Sequence, residues 1–230
     1  MGKYRGVLLD ADNTLFDYDR AESEALDETL SEVAPRVPRA RAVESYRQIN
    51  ARYWKRFEAG EVDAAGLQSG RWNDLFVTLG LDGDPSRAAS GYVAALSRQV
   101  HLLPGTAEAV RALSARARLC LVTNGLSMVQ RGRLARSGLA GFFSSIVISE
   151  EIGSAKPDAR FFQAAVRSLG LAPADLLCVG DNPVADVEGA RRAGIDAWWF
   201  SPSGASWPGP GEQPRVLKEL AEILPALHGP

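Results

Sequence analysis

Five short apolar runs recur along this chain, and three of them end on a polar residue or motif. Tyr4–Leu9 ends at Asp10, Leu119–Val122 at Thr123 and Leu176–Val179 at Gly180-Asp181; Ser145–Ile148 and Ala197–Phe200 complete the set. A strand that faces solvent on one side alternates apolar with polar residues, whereas a near-continuous apolar run is buried on both faces. Helical stretches separate these runs: one carries Val110 and Leu113, one lies near Val129–Ser137, one carries Phe161 to Leu169, and one reaches Ala193. Strand–helix alternation of this kind predicts an α/β fold: a doubly wound, Rossmann-like parallel sheet with helices on both faces. Ser201–Pro214, rich in Pro, Gly and Ser, reads as a loop, and a last helix is expected through Leu217, Leu220, Ile223 and Leu224.

The alternation is interrupted once. From about Arg20 to His101 no strand is expected, and four apolar stripes keep three- and four-residue spacing. They run through Leu26, Leu30 and Val33, then Val43 to Phe57, then Trp72 to Leu79, then Ala89 to Val100. Four amphipathic helices make a small bundle. The expected organisation is an α/β unit formed by 1–17 and 102–230, with an inserted all-helical unit at 18–101.

Composition narrows the function classes. The 230 residues carry 26 basic and 28 acidic side chains, a net charge of −2, which disfavours a nucleic-acid polymer as partner. No apolar stretch reaches 18 residues, so no membrane partner is expected. Cys120 and Cys178 lie inside apolar runs and read as inert packing, and the cytoplasm is the expected compartment. His101 and His228 cannot build a histidine metal site; His101 reads as a boundary residue, and Trp198-Trp199 as core. HExxH, GxxxxGK[ST] and GxGxxG are all absent.

Parallel sheets bind ligands beyond the carboxyl ends of their strands. There the chain places Asp10-Ala11-Asp12-Asn13-Thr14, Thr123-Asn124-Gly125, and Gly180-Asp181-Asn182 with Asp186 beyond. Lys156-Pro157, with one of only four lysines, follows another strand. Carboxylates crowded into one crevice repel each other and call for a cation. Oxygen-only ligands select a hard ion such as Mg²⁺. A metal, a lysine and a helix N-terminus together favour a phosphoryl group.

These motifs, in this order and across the whole chain, resemble the haloacid dehalogenase superfamily of aspartate-nucleophile phosphatases. The insertion resembles that family's helical cap. Val147 to Pro157, and Thr123-Asn124-Gly125-Leu126-Ser127 with Gln130, Arg133 and Leu134, are similar to the pyrimidine 5′-nucleotidase branch. The resemblance implies Asp10 as nucleophile and Asp12 as general acid and base. It implies Mg²⁺ held by Asp10, Asp181 and the backbone carbonyl of Asp12. Thr123, Asn124 and Lys156 would bind the phosphoryl group, with Asp186 and Asn182 supporting them. Asn13 stands where the family commonly has glycine, a change that asparagine's tolerance of unusual backbone angles makes harmless.

The expected substrate is a small phosphate monoester, with a pyrimidine nucleoside monophosphate foremost. A sugar-phosphate phosphatase or phosphomutase is the alternative. A 2-haloacid dehalogenase, which needs neither Asp12 nor Asp181, and a non-enzymatic receiver switch, which is shorter and uninterrupted, fit less well. In the helical insertion Asn50, Trp54, Gln68, Arg71 and Trp72 are candidates to read the base, with Arg71 expected at an exposed lid edge beside Gly70.

Overall fold

The computed structural model describes residues 2–227, so His228 lies outside the described residues. The strands are β1 (Gly6–Asp10), β2 (Arg118–Thr123), β3 (Ser145–Ile148), β4 (Leu176–Gly180), β5 (Asp196–Phe200) and β6 (Val216–Leu217). They form one sheet in the order β3-β2-β1-β4-β5-β6, parallel throughout. Reversal of direction on either side of β1 is the switch point at which doubly wound sheets open a crevice.

Side-chain alternation divides the two faces. Val7, Leu9, Leu119, Leu121, Leu177 and Val179 pack beneath α5 (Thr106–Ser114) and α6 (Ser127–Ser137). Leu8, Cys120, Val122 and Cys178 pack beneath α8 (Ala159–Leu169) and α9 (Gly189–Arg192), where Phe161 and Phe162 are fully buried. The short helix α7 (Ser149–Ile152) follows β3 directly. Because both faces are covered, no strand in the centre of the sheet needs the apolar/polar alternation of a one-sided sheet.

Between β1 and α5 lie α1 (Tyr18–Val33), α2 (Arg39–Glu58), α3 (Ala64–Leu79) and α4 (Pro85–Arg98). Their boundaries have local causes. Asp17, Asp63 and Asp84 cap α1, α3 and α4 by accepting backbone N–H bonds, and Gly80 ends α3 at a φ of 62°. The four helices share a core centred on Tyr46, Trp72 and Tyr92, whose ring centroids are 5.1–5.6 Å apart. The chain enters and leaves this insertion through one stitched stem. Phe16 bridges Leu102, Asp17 N donates to His101 O (2.8 Å), and Leu103 N donates to Leu15 O (2.9 Å). His101 sits at that boundary with its Nε2 2.7 Å from Glu24 Oε2.

Two segments differ from expectation. The last helix is instead the two-residue strand β6 followed by a 3-10 stretch, Leu220–Ala226. Leu217 pairs with Phe200, and Pro225 inside the following segment withholds the N–H that an α-helix needs. After β4 the chain makes a π-helical turn, Pro183–Glu188, before α9 begins.

Candidate active site

The carboxyl ends of β1, β2 and β4 open onto a cleft of about 250 Å³ roofed by the helical insertion. Lys156 is its most constrained residue. The side chain is buried, and Nζ donates to Asp10 Oδ1 (2.6 Å), Asp186 Oδ1 (2.6 Å) and Val122 O (3.1 Å), which uses all three protons. Burial works to lower the lysine's pKa, but Asp10 and Asp186 outweigh it and hold the ammonium well above its ordinary value. Asn124 fixes the lysine backbone from both sides: Oδ1 accepts from Lys156 N (2.8 Å) and Nδ2 donates to Lys156 O (2.9 Å). The Asn124 amide, expected at the phosphoryl group, is thus already committed to positioning Lys156.

Thr123 lines the cleft, its Oγ1 accepting from Gly125 N (3.0 Å). An acceptor role here leaves the hydroxyl proton available to a ligand oxygen. Asn13 adopts φ of 58°, and its Oδ1 accepts from Tyr18 N (3.0 Å), so the side chain itself steadies the turn.

The Asp181 turn is tied down at every peptide. Asp181 N donates to Thr14 Oγ1 (3.1 Å), and Trp199 Nε1 donates to Asp181 O (2.7 Å). Asn182 N donates to Asp186 Oδ2 (3.0 Å). The Asn182 side chain caps the following turn at Val184 N and Ala185 N. Asp10, Asp181 and Asp186 each bring a carboxylate oxygen within 4.8 Å of the others. Both Asp186 oxygens are occupied by Lys156 and Asn182, which leaves Asp10 and Asp181 as the better-placed ligands.

Burial first, then the neighbouring carboxylates Asp186 and Asp12, push the Asp10 pKa up to about 7 against the pull of Lys156. Burial, then Asp10 and Asp186, push Asp181 up to about 8. Two acids, one buried and one half-buried, raised together in an oxygen-only cluster fit a hard divalent cation, whose charge would reverse both shifts.

Asp12 is gripped by two residues of α6. Gln130 Nε2 donates to Oδ2 (2.7 Å), and the Arg133 guanidinium pairs with Oδ1. Arg133 is wholly buried, stacks 4.4 Å from the Phe16 ring centroid, and donates from Nε to Gln99 O (3.2 Å). In the sequence these two entered only through a family resemblance. The local signal was there: two polar residues three apart, on the helix face that also carries Val129 and Leu134.

The insertion's candidates divide. Trp54 lines the cleft, and so does Glu58, one helical turn further along α2 and missed in the sequence. Tyr18, Arg71 and Leu96 complete that wall. Arg71 is buried rather than exposed at an edge. Its Nη1 donates to Asn50 Oδ1 (2.8 Å), its guanidinium lies 5.1 Å from the Tyr92 centroid, and Asn50 Nδ2 donates to Glu22 Oε1 (3.4 Å). Stacking and hydrogen bonding offset the desolvation that normally keeps arginine outside. Asn50 therefore stands behind Arg71, off the cleft wall. Trp72 is fully buried between Tyr46 and Tyr92, and Gln68 lines a separate groove with Met128 and Glu150.

Among the described residues no helix is long and apolar enough to cross a membrane. The chain is 35% identical over 202 residues to the pyrimidine 5′-nucleotidase PynA of Streptococcus pneumoniae, covering 86% of this chain and 84% of that one. It is 28% identical to the pyrimidine 5′-nucleotidase YjjG of Escherichia coli, over 96% and 98% of the two chains. A magnesium-bound crystal structure of the HAD-hydrolase YfnB from Bacillus subtilis superposes with a TM-score of 0.84 at 28% identity, over 96% and 97% of the chains. Residues 4–194 match the family model for haloacid dehalogenase-like hydrolases. That span holds Asp10, Asp12, Thr123, Lys156, Asp181 and Asp186, and the chain belongs to the haloacid dehalogenase-like hydrolase family.

Proposed function

We infer that this hydrolase is a Mg²⁺-dependent phosphomonoesterase that works through an aspartyl-phosphate, and that it is a 5′-nucleotidase for pyrimidine nucleoside monophosphates. The observation that carries the phosphatase reading is the pairing around Asp10. Lys156 binds Oδ1 alone, while Asp12, two residues on, is held by Gln130 and Arg133. Carbon-centred displacement by the same aspartate would need neither that held acid nor the Asp181 carboxylate.

Asp10 and Asp181, with the Asp12 carbonyl, would hold Mg²⁺, which supplies charge neutralisation for attack of an anion on a dianionic phosphate. The chain's own residues do the rest. An Asp10 carboxylate oxygen attacks phosphorus as the bond to the leaving oxygen breaks, and Asp12 gives that oxygen a proton. Asp12 then takes a proton from the water that attacks the phosphoryl-Asp10, which releases inorganic phosphate and restores the Asp10 carboxylate and the protonated Asp12. Lys156 and Thr123 hold charge and oxygens of the transferring group, and Asp186 keeps Lys156 aimed.

The nucleotide assignment rests on likeness to PynA and YjjG and on the cleft wall. Residues 18–101 act as the cap over a core of 1–17 and 102–230. Trp54 offers a stacking surface, Arg71 a hydrogen-bond donor braced by Asn50, and Glu58 an acceptor for leaving-group hydroxyls. Base–aromatic stacking is worth about 1–3 kcal/mol, enough to separate a nucleotide from a small sugar phosphate. Initial rates on 5′-monophosphates, hexose phosphates and phosphoserine test the reading. UMP, dUMP and dTMP should give the highest kcat/KM, and Arg71→Met should erode their lead. A purine nucleotide, hexose phosphate or phosphoserine at the top of that ranking overturns the assignment.

A further inference from the structure

We propose that Trp199 is a positioning residue for the metal-binding turn, and that its indole N–H, rather than its bulk, sets the cation affinity of Asp181. The inference rests on the metal part of the function proposed above. It begins with the sheet register: β5 runs parallel to β4 with Trp199 opposite Gly180, the residue immediately before Asp181. The Trp199 side chain is 5% exposed, and from beside the strand end its Nε1 donates to Asp181 O at 2.7 Å. That carbonyl belongs to the peptide joining Asp181 to Asn182. The N–H of the same peptide goes to Asp186 Oδ2 (3.0 Å), and the preceding N–H goes to Thr14 Oγ1 (3.1 Å). Both peptides that flank the Asp181 α-carbon are therefore fixed by partners from three other segments of the chain. Trp199 is the one that comes from outside the phosphatase motifs.

The need for such a brace follows from what Asp181 must do. Its half-buried carboxylate stands within 4.8 Å of those of the buried Asp10 and Asp186, where like charges push it away from the metal position when no cation is bound. A ligand that must hold its place against repulsion gains affinity from any contact that fixes its backbone beforehand. The indole is itself held. Trp207, from the Pro/Gly-rich loop after β5, packs edge-on to Trp199 with centroids 5.2 Å apart and planes at 72°. Trp198, next in the chain but on the opposite face, packs against Tyr4 and Arg215 and has no role in the turn.

The test is calorimetric titration of Mg²⁺ alone into the metal-free full chain, for wild type, Trp199→Phe and Trp198→Phe, with melting curves alongside. Phe keeps an aromatic ring in the site and removes the donor. Loss of one neutral hydrogen bond should raise the Mg²⁺ dissociation constant about fivefold in Trp199→Phe. Trp198→Phe should stay within about twofold of wild type. Turnover of Trp199→Phe should recover to near wild type at saturating Mg²⁺, because the chemistry is untouched. If Phe packs too poorly for the protein to be purified, benzothienylalanine at position 199 alone keeps the ring shape and removes only the N–H. An unchanged dissociation constant in Trp199→Phe, or in the benzothienylalanine protein, overturns the positioning role. So does an equal weakening by Trp198→Phe. Wild type that binds no Mg²⁺ overturns the metal reading itself, a result separable from the other two because no substrate is present.

Discussion

Replacing Arg133 with Met separates the stability of the Asp12 pair from its catalytic use. Met fills most of the arginine's volume but cannot pair with Asp12 Oδ1, donate to Gln99 O or stack as a cation on Phe16. Breaking a buried ion pair by removing one partner typically costs about 3–5 kcal/mol. Two features bring the figure down here. Asp12 is 26% exposed, so water can solvate the abandoned carboxylate. Arg133 Nη2 is buried without a partner, so its desolvation cost disappears with the guanidinium. A loss of about 2–3 kcal/mol follows, which lowers Tm by roughly 5–10 °C in a chain of this length. For catalysis, a held general acid is worth about 10²–10⁴-fold, and Gln130 still grips the other Asp12 oxygen, so kcat should fall by about 10–100-fold. The fall should be greater for a nucleoside leaving group than for p-nitrophenolate, which departs without a proton. Paired measurements of Tm and of kcat for both substrates check this. If Tm drops as expected while both substrates slow by one common factor, Arg133 does not act through the Asp12 proton, and the reasoning is wrong.

Other expected outcomes are simpler. Asp10→Asn should cut turnover by about 10³-fold or more without lowering Tm, since it removes a buried charge along with the nucleophile; retention of a tenth of the activity, with deamidation checked, would refute the assignment. Asp10 and Asp181 have folded pKa values raised above those of the unfolded chain, so the metal-free fold binds protons more tightly than the unfolded chain does. Its Tm in EDTA should therefore fall as pH rises from about 4 towards 8, and the stabilisation by Mg²⁺ should be larger at pH 8 than at pH 5.5; a flat or opposite trend in wild type, or a slope that Asp181→Asn leaves intact, contradicts this. A methyl group at Gly125 would run into the Gln130 side chain. Gly125→Ala should displace Gln130 from Asp12 and reduce kcat about tenfold at a nearly unchanged KM, which steady-state kinetics will show.

The sheet and the four motifs were legible because each depends on chain-local facts. A strand buried on both faces must be apolar throughout, and a strand end that meets solvent and ligand must turn polar. Lys156 could be picked out because lysine is scarce here. What the sequence did not reveal depended on distant partners. Arg71 reads as an exposed residue beside a glycine, and only the Tyr46 and Tyr92 rings with Asn50 make its burial tolerable. Trp72, by the same rings, is removed from the cleft. Glu58 lies on the polar side of its helix by periodicity, and its place at the cleft depends on how α2 is docked. Trp199 reads correctly as core, but its N–H has a second task that no pattern of hydrophobicity records. At the C-terminus, Leu217 to Leu224 kept helical spacing, while pairing with β5 and the presence of Pro225 selected a strand and a 3-10 turn instead.

The position of β1 in the sheet also has a consequence for synthesis on the ribosome. β1 is made first, yet its partners are β2, which begins 112 residues later (Gly6 pairs with Arg118), and β4, later still. At roughly 5–20 residues per second, an apolar strand ending in Asp10 waits about 5–25 seconds with both edges unpaired. The next segment to emerge is the four-helix insertion, whose core is drawn from its own helices except for Leu126 and Val129 at the start of α6, and includes no strand residue. Helices rich in local contacts form quickly, whereas parallel strand pairing is slow. The insertion can thus be folded while the sheet is still missing, and the Phe16–Leu102 bridge then brings the two crossing segments together close behind β1, just as the remaining strands begin to appear.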